Sequence, residues 1–140
     1  MGRVLAIDYG RKRVGLAVTD PLKMIATRLD TVNSGQIWTY LENYFLREQV
    51  ERVVVGYPRQ LNNEPSESVK FIDPFLKGFR KRYPDMPLEL ADERFTSKMA
   101  LRTMVDAGLK KSDRQDKSLV DGLSATIILQ SWLEQNIYKI

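Results

Sequence analysis

The sequence predicts an α/β protein in which a mixed five-stranded sheet is flanked by helices. Two patterns indicate this class: short apolar runs of strand length, and longer stretches in which apolar residues recur every three or four positions. The predicted order is β-β-β-α-β-α-β-α-α. An opening meander followed by βαβ crossovers combines antiparallel and parallel strands. With no internal repeat or linker in 140 residues, we predict one domain over residues 1–140.

The first half of the chain is predicted to form a meander and a helix. Strands are expected at residues 3–8 and 13–19, joined by the turn YGRK, and a third strand at 24–32. Asn33 and Gln36 resemble a capping pair at the start of a helix. That helix is indicated by apolar residues at helical spacing, namely Ile37, Tyr40, Leu41, Tyr44 and Phe45.

The second half of the chain is predicted to alternate strands and helices. Pro74 falls inside an apolar helical stripe, so we expect it to kink that helix or break it in two. Thr96 is a plausible N-cap of a short helix that stops at Gly108. The predicted elements are strands at 52–56 and 88–93 and helices at 69–83, 96–107 and 118–135.

The chain has no cysteine and no histidine, and this limits its chemistry. Without cysteine it has no thiolate nucleophile, iron–sulfur cluster or thiolate zinc site. Without histidine it has no Ser-His-Asp triad and no imidazole acid–base catalysis. An enzyme of this composition must use carboxylates as metal ligands and bases, and carboxylates favour hard cations such as Mg²⁺ or Mn²⁺.

The charge balance favours anionic partners only mildly. Lys and Arg total 22 against 18 Asp and Glu, a net charge of +4, which is compatible with binding nucleic acid. The residues before the first predicted strand are too few for a signal peptide. No apolar run approaches the roughly 20 residues that a membrane span needs. We therefore expect a cytoplasmic protein that does not bind membranes.

Three carboxylates are candidates for one metal site. Asp8 ends the first predicted strand and Glu93 ends the last, so their side chains meet at one edge of the sheet if those strands are parallel. Asp121 lies early in the last helix, and the small residues Ser124 and Ala125 would let that helix approach the sheet closely. Two carboxylates 4 Å apart repel by roughly 4 kcal/mol at an effective dielectric of 20. A divalent cation removes that penalty, and the cluster then suits phosphodiester hydrolysis.

Each of these acidic residues also has an ordinary structural interpretation. Asp8 begins an Asp-x-Gly sequence, which favours a turn. The acidic pair at 92–93 with Arg94 would serve equally as a surface ion-pair cluster. Asp121 would complement the dipole of the last helix if it lies in the first turn. Taken singly, these residues leave both interpretations open.

Four longer motifs together resemble one family. They cover nearly the whole chain in the family's order and spacing, and this makes the resemblance specific. The motifs are DYGRKRVGLAVTD at 8–20, VVVGYP at 53–58, DERFTS at 92–97 and VDGLSATIILQ at 120–130. The family that they resemble is YqgF, also called RuvX, which has a ribonuclease H-like fold and is related to the RuvC Holliday junction resolvases.

The resemblance implies an acidic triad and a nuclease function. Its members here would be Asp8, Glu93 and Asp121, acting as catalytic residues and as ligands to Mg²⁺ or Mn²⁺. Asp92 is the alternative for the middle position, since successive strand residues face opposite sides of a sheet. The family is linked to maturation of the 5′ end of pre-16S ribosomal RNA and is also described as a Holliday junction resolvase.

Basic residues near the triad are candidates for nucleic-acid contacts. Arg11, Lys12 and Arg13 directly follow the turn at Asp8 and would hold a phosphate beside the metals. Arg94 would orient the triad or contact phosphate. The alternative for residues 11–13 is a solvated hairpin tip.

Two tyrosines near the predicted site are candidates for stacking on a nucleobase. Tyr9 and Tyr57 each lie at the end of a predicted strand on the same edge of the sheet as Asp8. Aromatic side chains that stack on bases are common in proteins that bind single-stranded nucleic acid. Single aromatic residues are more often packing residues, so both interpretations stand.

Three functional hypotheses follow from the sequence. The first is a metal-dependent nuclease acting on pre-16S ribosomal RNA. The second keeps the chemistry and changes the substrate to branched DNA, whose symmetric cleavage calls for a homodimer. The third is an RNA-binding module of ribosome biogenesis that does not cut, for which departures from the family pattern at 59–65 and at Lys98 and Met99 leave room. An actin-like ATPase is excluded, because 140 residues cannot supply the second lobe such folds need.

Overall fold

A computed structural model describes residues 2–57, 69–92 and 117–136 of the chain. All five predicted strands and three of the predicted helices are present there, while the helix predicted at 96–107 lies outside these residues. The elements are β1 (Arg3–Tyr9), β2 (Arg13–Thr19), β3 (Ala26–Asn33), α1 (Ile37–Arg47), β4 (Val50–Tyr57), α2 (Val69–Arg82), β5 (Leu88–Asp92) and α3 (Lys117–Asn136).

The five strands form one mixed sheet in the order β3-β2-β1-β4-β5. The first three pair antiparallel as a meander, and β1 pairs parallel with β4, as β4 does with β5. The predicted mixed five-stranded sheet is therefore confirmed. The parallel strands β1, β4 and β5 all end at the same edge of the sheet, which we call the carboxyl edge.

The two faces of the sheet are covered by different helices. Leu5 and Ile7 of β1 pack into a cluster with buried residues of α1 and α2, and we call this the α1/α2 face. The alternate residues Val4 and Ala6 pack against α3, and we call this the α3 face. Because β1 is the central strand, it contributes to both layers of the core.

Two local expectations about helices are corrected. Asn33 makes no side-chain capping bond, because a 3₁₀ turn at Ser34–Gln36 separates it from α1. Pro74 does not divide α2, which continues from Val69 to Arg82. Pro74 is exposed, whereas Ile72, two residues before it, and Phe75, directly after it, are buried. An internal proline costs about 3 kcal/mol, and burying two large side chains offsets a loss of that size.

None of the helices in the described parts of the chain is long and apolar enough to cross a membrane.

Candidate active site

Asp8 lies on the central strand at the carboxyl edge. It is the penultimate residue of β1, which extends one residue beyond the predicted end, and it pairs with Gly15 of β2. Its position alternates with Ile7 and Tyr9, both of which belong to the α1/α2 face. Strand alternation therefore places Asp8 on the α3 face, with Val4 and Ala6. Its half-buried position between paired strands restrains the carboxylate.

The helix α3 lies close against this face through small residues. Ala125 is fully buried and packs in one cluster with Ala6, Ala17 and Val54 of the sheet. Of the two small residues predicted to bring the last helix onto the sheet, Ala125 packs there, whereas Ser124 is half-buried. Asp121 belongs to α3 and precedes Ala125 by one helical turn, although its side chain is outside the described part of the chain.

The third predicted ligand comes from the end of β5. Asp92 is the last residue of β5 and pairs with Tyr57, while Ala91 pairs with Gly56 and packs on the α3 face. Glu93 and Arg94 follow directly and lie outside the described residues. Among the side chains that the structure describes, no three potential ligands lie close enough for one metal ion. The convergence of the complete triad therefore stays a prediction.

A further carboxylate on the α3 face anchors that helix to the sheet. One oxygen of Glu89 accepts from the Arg52 guanidinium, and the other accepts from the indole N–H of Trp132 on α3. Ile128 and Trp132 continue the packing of α3 along the cluster that contains Ala125. Glu89 thus has a structural role in holding α3, and sequence reasoning did not identify it.

The turn between β1 and β2 presents three predicted nucleic-acid contacts. The Gly10 amide donates to the Arg13 carbonyl at 2.9 Å, and a Cβ atom on Gly10 would lie 2.6 Å from that oxygen. Only glycine fits this turn. Ser34 braces it, since its hydroxyl donates to the Arg11 carbonyl at 2.8 Å and its amide to the Lys12 carbonyl at 3.0 Å.

The three basic side chains of this turn differ in exposure. Arg11 and Lys12 are exposed, whereas Arg13 is half-buried. The backbone of the turn is held by the hydrogen bonds to Gly10 and Ser34, so both exposed cations extend from a well-defined position. The arrangement is compatible with phosphate contacts, which remain a prediction.

The two tyrosines considered for base stacking are packing residues. Tyr9 stacks on Phe75 of α2 with ring centroids 4.5 Å apart. Tyr57 packs against the α1/α2 face, and its hydroxyl donates to Asp73 at 3.0 Å. Both rings hold α2 to the sheet at the carboxyl edge.

An aromatic residue that sequence reasoning missed lies beside the turn. Phe71 of α2 is 37% exposed, and the Arg11 guanidinium lies 5.8 Å from the centroid of its ring. Phe71 lies one helical turn before the buried Phe75, at the margin of the apolar stripe of α2, so spacing alone did not distinguish the exposed ring from the buried one.

The whole described fold falls within one family. Residues 2–135 match the family model described as RuvX, Holliday junction resolvase. A relative from Bacteroides fragilis, named "Putative pre-16S rRNA nuclease", is 57% identical over 96% of this chain and 97% of its own length. A relative from Christiangramia forsetii with the same name is 58% identical, covering 95% of this chain and 98% of the relative.

Solved structures show the same architecture at low sequence identity. RuvC from Thermus thermophilus, in complex with a Holliday junction, matches with a TM-score of 0.58 and 20% identity over 97% of each chain. The fowlpox virus resolvase, also with junction DNA, matches with a TM-score of 0.56 and 13% identity, covering 96% of this chain and 99% of the other. The predicted ribonuclease H-like fold is thereby confirmed.

Proposed function

This chain belongs to the RuvX family, and on that premise we propose that it is a metal-dependent nuclease acting in 5′-end maturation of pre-16S ribosomal RNA. The observation that carries the proposal is the position of Asp8 on the central strand, at the carboxyl edge and on the α3 face. The helix that contains Asp121 packs on that same face. The names of the relatives from Bacteroides fragilis and Christiangramia forsetii support the choice of substrate.

Asp8, Glu93 and Asp121 are the residues that would hold Mg²⁺ or Mn²⁺. All three are carboxylates, the ligand type that these cations prefer. Glu93 takes the middle position in this proposal, with Asp92 as the alternative, because Glu89 and Ala91 lie on the α3 face and successive strand residues alternate between faces. A bound divalent cation supplies Lewis-acid stabilisation of the phosphate and activation of water.

The chain's own residues position the substrate in this proposal. Pairing of β1 with β2 and β4 holds Asp8 at the carboxyl edge before any ligand binds. Arg11, Lys12 and Arg13 would bind phosphates that flank the scissile bond, and Arg94 would orient the triad or contact phosphate. Three Cα–Cα steps separate Asp8 from Arg11, which limits the distance between those Cα atoms to about 11 Å. A phosphate bound by Arg11 therefore lies near the reacting one.

Asp8→Asn tests the proposal with little change in shape. Loss of one ligand charge should reduce cleavage of a pre-16S 5′-end substrate by on the order of a thousandfold, because the metal contributes several kcal/mol to the transition state. The matched control is Asp85→Asn, an exposed aspartate in the turn before β5, which should cleave like the wild type. Cleavage by Asp8→Asn at the wild-type rate would contradict the assignment.

Metal titration supplies a readout that does not depend on activity. Mn²⁺ at 100 times its dissociation constant should stabilise the wild type by about 2.7 kcal/mol in thermal unfolding. Asp8→Asn should lose most of that shift, and Asp85→Asn should keep it. RNA binding that persists without any metal-dependent stabilisation would instead favour the non-cutting RNA-binding module.

Junction DNA is the second candidate substrate. The family description and the two similar resolvase structures both concern Holliday junctions. Symmetric cleavage of a four-way junction requires two active sites, so this alternative also proposes a homodimer. Cleavage rates on junction DNA and on precursor RNA at equal salt, together with the molar mass in solution, separate the two candidates.

A further inference from the structure

We infer that Phe71 and Arg11 form a stacking platform for an unpaired nucleobase beside the active site. The inference rests on the proposed nuclease function and adds a feature of its substrate, namely a single-stranded segment next to the scissile bond. It assigns to Phe71 the base-stacking role that the structure does not give to Tyr9 or Tyr57.

Phe71 combines an exposed ring with a rigid support. The next residue, Ile72, and the residue one turn later, Phe75, are buried at 1% and 4% exposure. Phe75 stacks on Tyr9 at 4.5 Å and on Trp38 at 5.1 Å between ring centroids. These contacts fix α2 directly below Phe71, so little conformational freedom is lost when a base stacks on the exposed ring.

Arg11 is the second member of the platform and lies beside the Phe71 ring. Its guanidinium lies 5.8 Å from the Phe71 ring centroid, and its backbone is held by the hydrogen bond from Ser34. A guanidinium is planar and always charged, so it stacks on a base or contacts a phosphate with equal ease. An exposed aromatic ring beside an exposed arginine is the combination that proteins use to bind single-stranded nucleic acid.

The platform and Asp8 lie on different sides of the carboxyl edge. The hydrogen bond between Tyr57 and Asp73 holds the first part of α2 at the end of β4. Arg11 belongs to the turn that follows Asp8, whereas Asp8 itself lies on the α3 face. A strand of nucleic acid bound at both places has to cross the edge of the sheet. Only unpaired bases expose the π-faces that Phe71 requires, since bases within a duplex are already stacked.

Binding measurements in an Asp8→Asn background test the platform without cleavage. Phe71→Ala should weaken binding of a short unstructured RNA by about 5- to 150-fold, since one stacked base contributes about 1–3 kcal/mol. Binding of a perfectly paired RNA duplex should change less than twofold. Phe71→Tyr should restore binding of the single-stranded RNA, because an aromatic face is again present.

Leu46→Ala is the matched control, since Leu46 is also an exposed large apolar residue, at 81% exposure on α1. It should bind both RNAs like the parent protein. Single-stranded binding that survives Phe71→Ala would overturn the inference, as would an equal loss for single-stranded and duplex RNA. Melting temperatures of all variants should agree, since Phe71 lies outside the core.

Cleavage assays with Asp8 intact separate this inference from the proposed function. Absence of cleavage by the wild type would refute the nuclease, yet selective loss of single-stranded binding in Phe71→Ala would still support the platform. Conversely, cleavage that depends on Asp8 together with unchanged binding by Phe71→Ala would leave the nuclease standing and refute the platform.

Discussion

The two faces of the sheet are packed in opposite ways. On the α1/α2 face, large aromatic side chains fill the space between sheet and helices, among them Trp38, Phe75 and Phe79. On the α3 face, the strands contribute only alanines and valines, which lets α3 approach them closely, while α3 contributes Ala125 together with Ile128, Leu129 and Trp132. One face therefore contributes volume to the core, whereas the other sets the distance between a helix and a sheet.

The two faces therefore have different roles: the α1/α2 face mainly stabilises the fold, and the α3 face carries Asp8. Asp8 lies on the face with small residues, and the helix that contains Asp121 packs there. A carboxylate cluster requires its elements to be close, and only small residues permit that approach. The side chains on the α1/α2 face can be large and bury more apolar surface, because no predicted triad residue depends on the distance between the sheet and the helices on that face. The two faces should therefore respond differently to changes in side-chain size.

The largest effect on stability is expected for Phe79→Ala. Phe79 is fully buried and contacts Phe45 edge-on, with ring centroids 6.5 Å apart. Truncation should lower the free energy of unfolding by about 3–5 kcal/mol, measured by urea denaturation, because it leaves a cavity in the core on the α1/α2 face. Cleavage per folded molecule should stay at the wild-type level. A loss of stability below about 1 kcal/mol would contradict this account of the face.

An intermediate effect is expected for Ala125→Leu. Three added carbon atoms in a fully buried position should destabilise the protein by about 1–3 kcal/mol. They should also displace α3 from the sheet, so cleavage should fall at least tenfold, more than the loss of folded protein explains. Gln135→Leu, at an exposed position of the same helix, should leave both quantities unchanged. Full activity in a destabilised Ala125→Leu protein would show that cleavage does not depend on the distance between α3 and the sheet.

The smallest effect is expected for Glu89→Gln. This change removes the charge that pairs with Arg52 but keeps an oxygen that accepts from the indole of Trp132. Both charged side chains are more than a third exposed, so solvent screening limits the loss to about 1 kcal/mol or less. Thermal unfolding measures the loss of stability, and the cleavage rate measures any effect on activity. A large loss of cleavage with intact stability would indicate that Glu89 belongs to the active site.

Much of the fold was predictable because its signals are local. The β-branched run of β4 and the short apolar run of β2 identify strands from the sequence alone; β2 has its predicted ends, and β4 begins two residues earlier and ends one residue later than predicted. The interruption expected at Pro74 was wrong, because burial on both sides of the proline outweighs its local cost. The expected cap at Asn33 was also wrong, because the chain makes a 3₁₀ turn there.

The candidate site was less predictable because contacts between distant residues define it. Tyr9 and Phe75 are far apart in the sequence, and nothing local indicates that their rings stack. Phe71 and its buried neighbour Phe75 are the same residue type one helical turn apart, so neither type nor spacing shows that only Phe71 is exposed. The role of Glu89 follows from Arg52 and Trp132, which belong to two other elements.

The sequence by itself determined the strands, the helices, the family and the acidic residues that carry the proposed chemistry. Each of these depends on residue type and spacing along the chain, which are visible without coordinates. Only the tertiary structure decided that Asp8 and α3 share a face while Tyr9 belongs to the other. The physical reason is that strand pairing and helix packing assign the two faces, and both involve residues that the chain brings together only on folding.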